Sequence, residues 1–190
     1  MLKPIIEEEE FSGIVFTQET FKKGEYENCS FTNCDFSALH LSNFDFVECR
    51  FDDCNLSNAK LSNAAFKNVK FRNCKLLGVN FGECNPFLFS VSFEECFLRL
   101  ATFYKLKMKA TKFKNCNLHE ADFAETDLTN AVFENCDLVG AIFDHSILEK
   151  TDFRTSFNFS IDPEMNRIKK AKFSLATIKG LLDKYTIEIE

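Results

Sequence analysis

Large apolar residues recur along this chain every five positions, a period that belongs neither to an α-helix nor to a flat β-strand. From Phe11 the count reads Phe16, Phe21, Tyr26, Phe31, Phe36, Leu41 and so on to Phe81, fifteen consecutive centres that are all Phe, Tyr or Leu. It fails at Pro86, shifts by two residues, and resumes at Phe93 for thirteen more centres ending at Phe153. Around a helix such centres fall about 500° apart and drift over the surface. Along a strand they alternate between opposite faces. A chain that turns a corner every five residues points each centre inward, together with the small residue two before it, such as Cys29, Cys34, Ala59 or Ala121.

A second spacing gives the number of corners. Cys34, Cys54 and Cys74 stand 20 apart, as do Cys96, Cys116 and Cys136, and the step of 22 between the two sets absorbs the shift. Phe11, Phe31, Phe51, Phe71, Phe93, Phe113, Phe133 and Phe153 form a second column of the same kind. Four pentapeptides per coil predict an all-β solenoid, a four-sided β-helix of about seven coils that is ~34 Å long at ~4.8 Å per strand. The expected organisation is an acidic lead over 1–10, the β-helix over 11–157 with its register break at 82–92, and a C-terminal capping or dimerisation segment over 158–190.

The break and the tail are the irregular parts. Pro86 cannot donate to a ladder, so two extra residues must bulge there, either as a tolerated insertion or as an apolar contact made by Phe87 or Phe89. In the tail, Ser174 can cap a short helix with Leu175, Ile178, Leu182 and Tyr185 on one stripe, and 186–190 alternates like an edge strand. The stripe either closes its own rod or meets the same helix of a second copy. A homodimer is the favoured expectation.

Composition narrows the class. With 190 residues, 45% apolar, and six Gly and three Pro, the chain reads as one folded domain rather than a disordered or collagen-like one. A net charge of −6 disfavours a direct nucleic-acid binder. Glu7 to Glu10 occupy the place of a signal peptide's apolar run, and no stretch approaches the ~20 apolar residues of a membrane helix. The expectation is a cytoplasmic protein without membrane contact. Nine cysteines, an odd count with no C-x-x-C pair, and His40, His119 and His145 at no ligand spacing predict reduced structural thiols, no metal and no cofactor. With no Gly-rich phosphate loop either, the chain reads as non-enzymatic.

Charge is unevenly placed. Residues 120–149 hold Glu120, Asp122, Glu125, Asp127, Glu134, Asp137, Asp144 and Glu149 with no Lys or Arg. Residues 97–114 hold Arg99, Lys105, Lys107, Lys109, Lys112 and Lys114 with no acid. The acids fall on all four sides when assigned by coil. Each Asp before a centre also reads as a turn residue, but as a group they are the candidate partner surface, with Phe87 and Phe89.

Cys34-Asp35-Phe36, Ala121-Asp122-Phe123 and Cys136-Asp137-Leu138 match the A(D/N)LXX signature, and the chain resembles the pentapeptide-repeat family over residues 11–157. The resemblance implies a right-handed quadrilateral β-helix. The segments LLGVNFGECNPFLFSVSFEECFLRLATF and DPEMNRI are similar to the microcin-immunity branch of that family, which shares its rod and interrupted register with the quinolone-resistance (Qnr) branch. That resemblance implies a homodimeric, DNA-mimicking rod that binds DNA gyrase or topoisomerase IV and counters an inhibitor of quinolone or microcin type. The long projecting loop of the Qnr branch is absent from this sequence, so specific contacts do not carry over. The alternative reading is a structural or adaptor scaffold with an unknown protein partner.

Overall fold

The computed structural model describes residues 3–188. Short strands of three or four residues stack in parallel to form two sheets. The first joins β1 (Ile5–Glu7), β3 (Glu25–Glu27), β5 (Asp45–Val47) and β7 (Ala65–Lys67), in that order. The second runs β2 (Glu10–Ser12), β4 (Ser30–Thr32), β6 (Arg50–Asp52), β8 (Val69–Arg72), β9 (Val91–Glu94), β10 (Lys112–Lys114) and β11 (Val132–Glu134). Its seven rungs span six turns. Phe11, Phe31, Phe51 and Phe71 pair in steps of 20, Phe71 pairs with Phe93 across the step of 22, and Phe113 and Phe133 follow. The chain is therefore the parallel β-solenoid that the spacing predicts.

The remaining two sides are single bridges, such as Asn55↔Lys75 and Thr102↔Asp122. We number the sides in chain order by their centres: first Phe31, Phe51 and Phe71; second Phe36, Leu56 and Leu76; third Leu41, Leu61 and Phe81; fourth Tyr26, Phe46 and Phe66. Bridges carry the ladder beyond β11 to Asp152 and Lys172, and Phe173 stacks on Phe153 at 5.5 Å. Pairing thus reaches past both ends of the unbroken five-residue count, from Ile5 in β1 to Lys172.

Inside, rings stack along each column and meet edge-on across corners. Phe113 lies 5.2 Å from Phe93 and 4.7 Å from Phe133, nearly parallel to both, and 5.7 Å from Phe123 at 89°. These are the favourable aromatic geometries. The small inward residues fill the space between them, and all nine cysteines are buried free thiols.

Most corners turn the chain through one residue with positive φ, two after the centre: Asn28, Asn33, Asn43, Asn58 and Asn63 all lie between 51° and 60°. Asn tolerates this left-handed region better than most L-residues, which explains its recurrence at that position. The residue before a centre makes the complementary turn. Asp35, Asn55, Asn117 and Asp122 each accept the backbone N–H two residues on, at 2.7–3.2 Å.

At the break, a 3-10 turn at Phe81–Glu83 leads into a bulge. Asn85 and Ser90 rejoin the fourth side by donating to the carbonyls of Ala64 and Phe66. The expectation that Phe89 projects is corrected: it is 8% exposed and sits edge-on to Phe66 and Phe81. Pro86 vacates an inward position, and the two extra residues deliver Phe89 into it. Phe87 and Leu88 form the tip, at 68% and 62% exposure.

The tail also departs from expectation. In place of an amphipathic helix it forms two 3-10 turns, Ile178–Leu181 and Asp183–Tyr185. Ser174 shares its hydroxyl with Thr177, and no side chain caps the first turn. Gly180 is the reason for the close seat. Its carbonyl accepts Ile161 N–H at 2.8 Å, and a Cβ on it would lie 2.1 Å from the Phe159 carbonyl oxygen. Lys184 bridges Asp162 and Glu164, and Tyr185 donates to Glu164. The tail is thereby seated on its own last coil, while Leu175, Ile178 and Tyr185 remain exposed and Leu182 is half-buried. Thr186 is left-handed, and no strand forms over 186–188; the last two residues of that expected strand lie outside the described ones.

Candidate protein-binding surface

The solenoid interior is filled, so any partner must meet the outer faces. The eight acids of residues 120–149 do not converge on one of them. Asp122, Glu125 and Asp144 border the third side, Asp127 and Glu149 the fourth, Glu134 the first, and Glu120 and Asp137 the second, as the stacking of bridges and strands shows.

Half of them are also neutralised by a cation one coil away. Arg99 reaches Glu120 at 2.8 Å, Lys105 reaches Glu125 at 3.5 Å, Lys109 reaches Asp127 at 3.3 Å and Arg167 reaches Glu149 at 2.7 Å. The basic block of 97–114 and the acidic block that follows are 20-residue neighbours, so the coil stacks one on the other. The polarity read along the sequence largely cancels in space. Such exposed pairs add little stability, but they remove the field an acidic belt would need.

Several of these carboxylates are also turn builders. Partial burial pushes Asp137 up, but hydrogen bonds from His119 and Asn158 outweigh it and hold the carboxyl below its ordinary value. The same contest at Asp127 is won by the Thr129 hydroxyl and amide and by Lys109. Asp144 contacts His145 at 3.0 Å.

Charge instead collects at the N-terminal end of the fourth side. Glu7 pairs in register with Glu27, and Glu25 with Asp45. Glu8 and Glu48 occupy left-handed corners on the same edge. Lys3 neutralises Asp45 at 2.6 Å, whereas Glu7, Glu8, Glu25, Glu27 and Glu48 have no ion pair among the described residues. The exposed tip of Phe87 and Leu88 stands further along this same side. Sequence reasoning missed the patch because its members are spread from Glu7 to Glu48 over three successive coils; the 20-residue column arithmetic applied to outward positions would have found it.

No group of three metal-ligating side chains comes together among the described residues, and no helix among them is long and apolar enough to cross a membrane. Burial pushes the Cys49 thiol up to about 12, and raises Cys84 as well. Because all nine thiols are buried, they are expected to react with a thiol reagent at least ~100-fold more slowly in native protein than in denaturant. Fast native labelling of most of the nine would overturn the column.

The repeat model described as a pentapeptide repeat region matches residues 21–86, and the model for pentapeptide repeats in eight copies matches residues 116–154. Together they cover more than half of the chain, which belongs to the pentapeptide-repeat family. No curated protein sequence matches it. Among solved structures, it is similar to a trypsin-treated form of QnrB1, a plasmid-mediated fluoroquinolone resistance protein. That match has 21% identity and a TM-score of 0.48, covering 98% of this chain and 100% of the other. It is also similar to HetL, a pentapeptide-repeat protein involved in heterocyst differentiation regulation in the cyanobacterium Nostoc sp. strain PCC 7120. There the identity is 15% and the TM-score 0.36, covering 90% and 86% of the two chains.

Proposed function

We propose that this protein is a non-enzymatic binding rod that presents carboxylates in place of duplex phosphates to DNA gyrase or topoisomerase IV, and so protects that enzyme from a quinolone- or microcin-type inhibitor. The observation that carries the reading is the unpaired acidic patch of Glu7, Glu8, Glu25, Glu27 and Glu48 on the fourth side. Its five carboxylates occupy three rungs, roughly one per 2–3 Å of rod, against one phosphate per ~1.7 Å of duplex. A basic DNA-binding groove attracts such a surface electrostatically. The apolar tip at Phe87 supplies a contact that does not depend on charge. The similarity of residues 76–103 and 162–168 to the microcin-immunity branch supports the choice of partner.

A supercoiling assay with purified protein, with and without inhibitor, tests this. Wild type is expected to inhibit or protect gyrase. The triple variant Glu7→Gln, Glu25→Gln, Glu27→Gln is expected to need at least ~10-fold more protein for the same effect, with an unchanged circular dichroism spectrum. Neither inhibition nor protection by wild type would leave the adaptor scaffold as the better reading.

A further inference from the structure

A groove runs along the corner between the first and second sides, through the N-terminal half of the rod. One wall is the second-side row of Val15, Asp35, Asn55, Lys75 and Phe97, which parallel bridges join rung to rung. The other is the corner itself, where Gly13, Asn33, Asp53 and Asn73 all have positive φ. Between the walls, over Cys34 and Cys54, lies a space of about 470 Å³. Four steps between five rungs give ~19 Å of length. The exposed Val15 and Phe97 mark its two ends.

The lining is polar and nearly balanced in charge, with Asp35 and Asp53 against Lys75. Each middle rung brings two polar side chains to the groove: Asn33 with Asp35, Asp53 with Asn55, and Asn73 with Lys75. Several are held in place from within. Asp35 and Asn55 each accept the backbone N–H two residues on, and the Asn73 amide donates to Asp53. Asn33 and Lys75 make no side-chain hydrogen bond or ion pair among the described residues. The groove therefore keeps spare donors and acceptors, repeated at ~4.8 Å from rung to rung.

We propose that this groove binds an extended, neutral oligosaccharide of about four pyranose rings, one per rung, with the end ring against Phe97. A β-linked glucose-type chain carries hydroxyls along its edges and C–H groups on its faces. Successive hydroxyl pairs meet successive Asn and Asp side chains, whose two polar atoms suit neighbouring hydroxyls. Phe97, 54% exposed, supplies an apolar ring surface for a sugar face. The balanced lining favours a neutral ligand over an ionic one. An extended peptide is disfavoured, because the backbone beneath the groove is already spent. The N–H groups of Asp35, Asn55 and Lys75 donate to the carbonyls of Ile14, Cys34 and Cys54 one coil back, which leaves no strand edge for a peptide to join. The groove uses no residue of the fourth side, so it stands whether or not a topoisomerase is the partner.

Each hydroxyl must leave water to bind and the groove is open on one side, so the expected dissociation constant is on the order of 0.1–1 mM. An amide chemical-shift titration of the full chain with cellotetraose, an extended β-linked glucose tetramer, measures it. Shifts are expected to centre on residues 33–35, 53–55 and 73–75. Maltotetraose, whose α-links curl the chain, is expected to bind at least ~10-fold more weakly. Phe97→Ala should weaken cellotetraose binding at least ~10-fold with an unchanged circular dichroism spectrum. Phe157→Ala, in the same row but beyond the groove, should leave binding as it is. Absence of cellotetraose binding at ~10 mM overturns the proposal, as do shifts centred elsewhere or equal affinity for the two sugars. Full binding by Phe97→Ala, or an equal loss in Phe157→Ala, overturns it too. A tetra-alanine peptide that binds the groove more tightly than cellotetraose would make it a peptide site and overturn the assignment.

Discussion

Phe113→Ala is expected to destabilise the protein by about 3–5 kcal/mol, measured by urea denaturation, whereas Lys60→Ala should change stability by less than ~0.5 kcal/mol. Phe113 is fully buried. Its ring is sandwiched between Phe93 and Phe133 and bounded edge-on by Phe103 and Phe123. Truncation removes the ring's transfer free energy and leaves a cavity with aromatic walls on four sides. Those walls are themselves fixed by the ladders above and below, so the site collapses poorly, and this puts the expected cost in the upper part of the usual range. Lys60 lies on the surface of the third side, where its bridge to His40 is made by backbone and survives truncation. Small, equal losses at both positions would mean that the centres do not point inward.

Gly180→Ala is expected to release the tail while leaving the rod folded. The new methyl would meet the Phe159 carbonyl at 2.1 Å and its ring at 2.8–2.9 Å, and backbone cannot step aside as a flexible side chain can. Overpacking of this kind costs about 1–3 kcal/mol, which raises the population of undocked tail by roughly 5- to 150-fold. The backbone around the exposed Lys179 and Lys184 then loosens, so trypsin should clip after them that much faster. Circular dichroism of the solenoid should stay the same, because each coil depends mainly on its neighbours. An unchanged cleavage rate would show that the tail does not rely on this contact. Loss of the whole fold would show that the last coil is required to hold the others.

The inward positions show how much of such a fold is written locally. Phe at every fifth residue and Cys34, Cys54 and Cys74 at every twentieth establish corner, coil and column without reference to anything distant, because one short unit is repeated and each copy packs only on the next. The Asn that recurs at left-handed corners belongs to the same local code. The candidate surface was legible to a much smaller degree. Glu120 and Arg99, or Glu125 and Lys105, look like separate blocks along the chain, yet they are adjacent in space and cancel. Glu7, Glu25, Glu27 and Glu48 look unrelated along the chain, yet they gather on one side.

The sequence by itself determined the inward half of every coil: which residues face the core, four corners per turn, and the shift at Pro86. The physical reason is that burial of a large apolar side chain, at ~1.5–3 kcal/mol each, outweighs any competing preference at that position. Only the tertiary structure decided the fate of residues whose choices are nearly balanced. Phe89 went inward because a vacated position lay within reach, although its neighbours Phe87 and Leu88 stayed out. The tail folded as 3-10 turns against Phe159 rather than as a helix, since Gly180 allows a close approach that an amphipathic stripe does not need. The charged side chains gained partners from the coils above and below, where small energies are settled by which groups the stacking brings together.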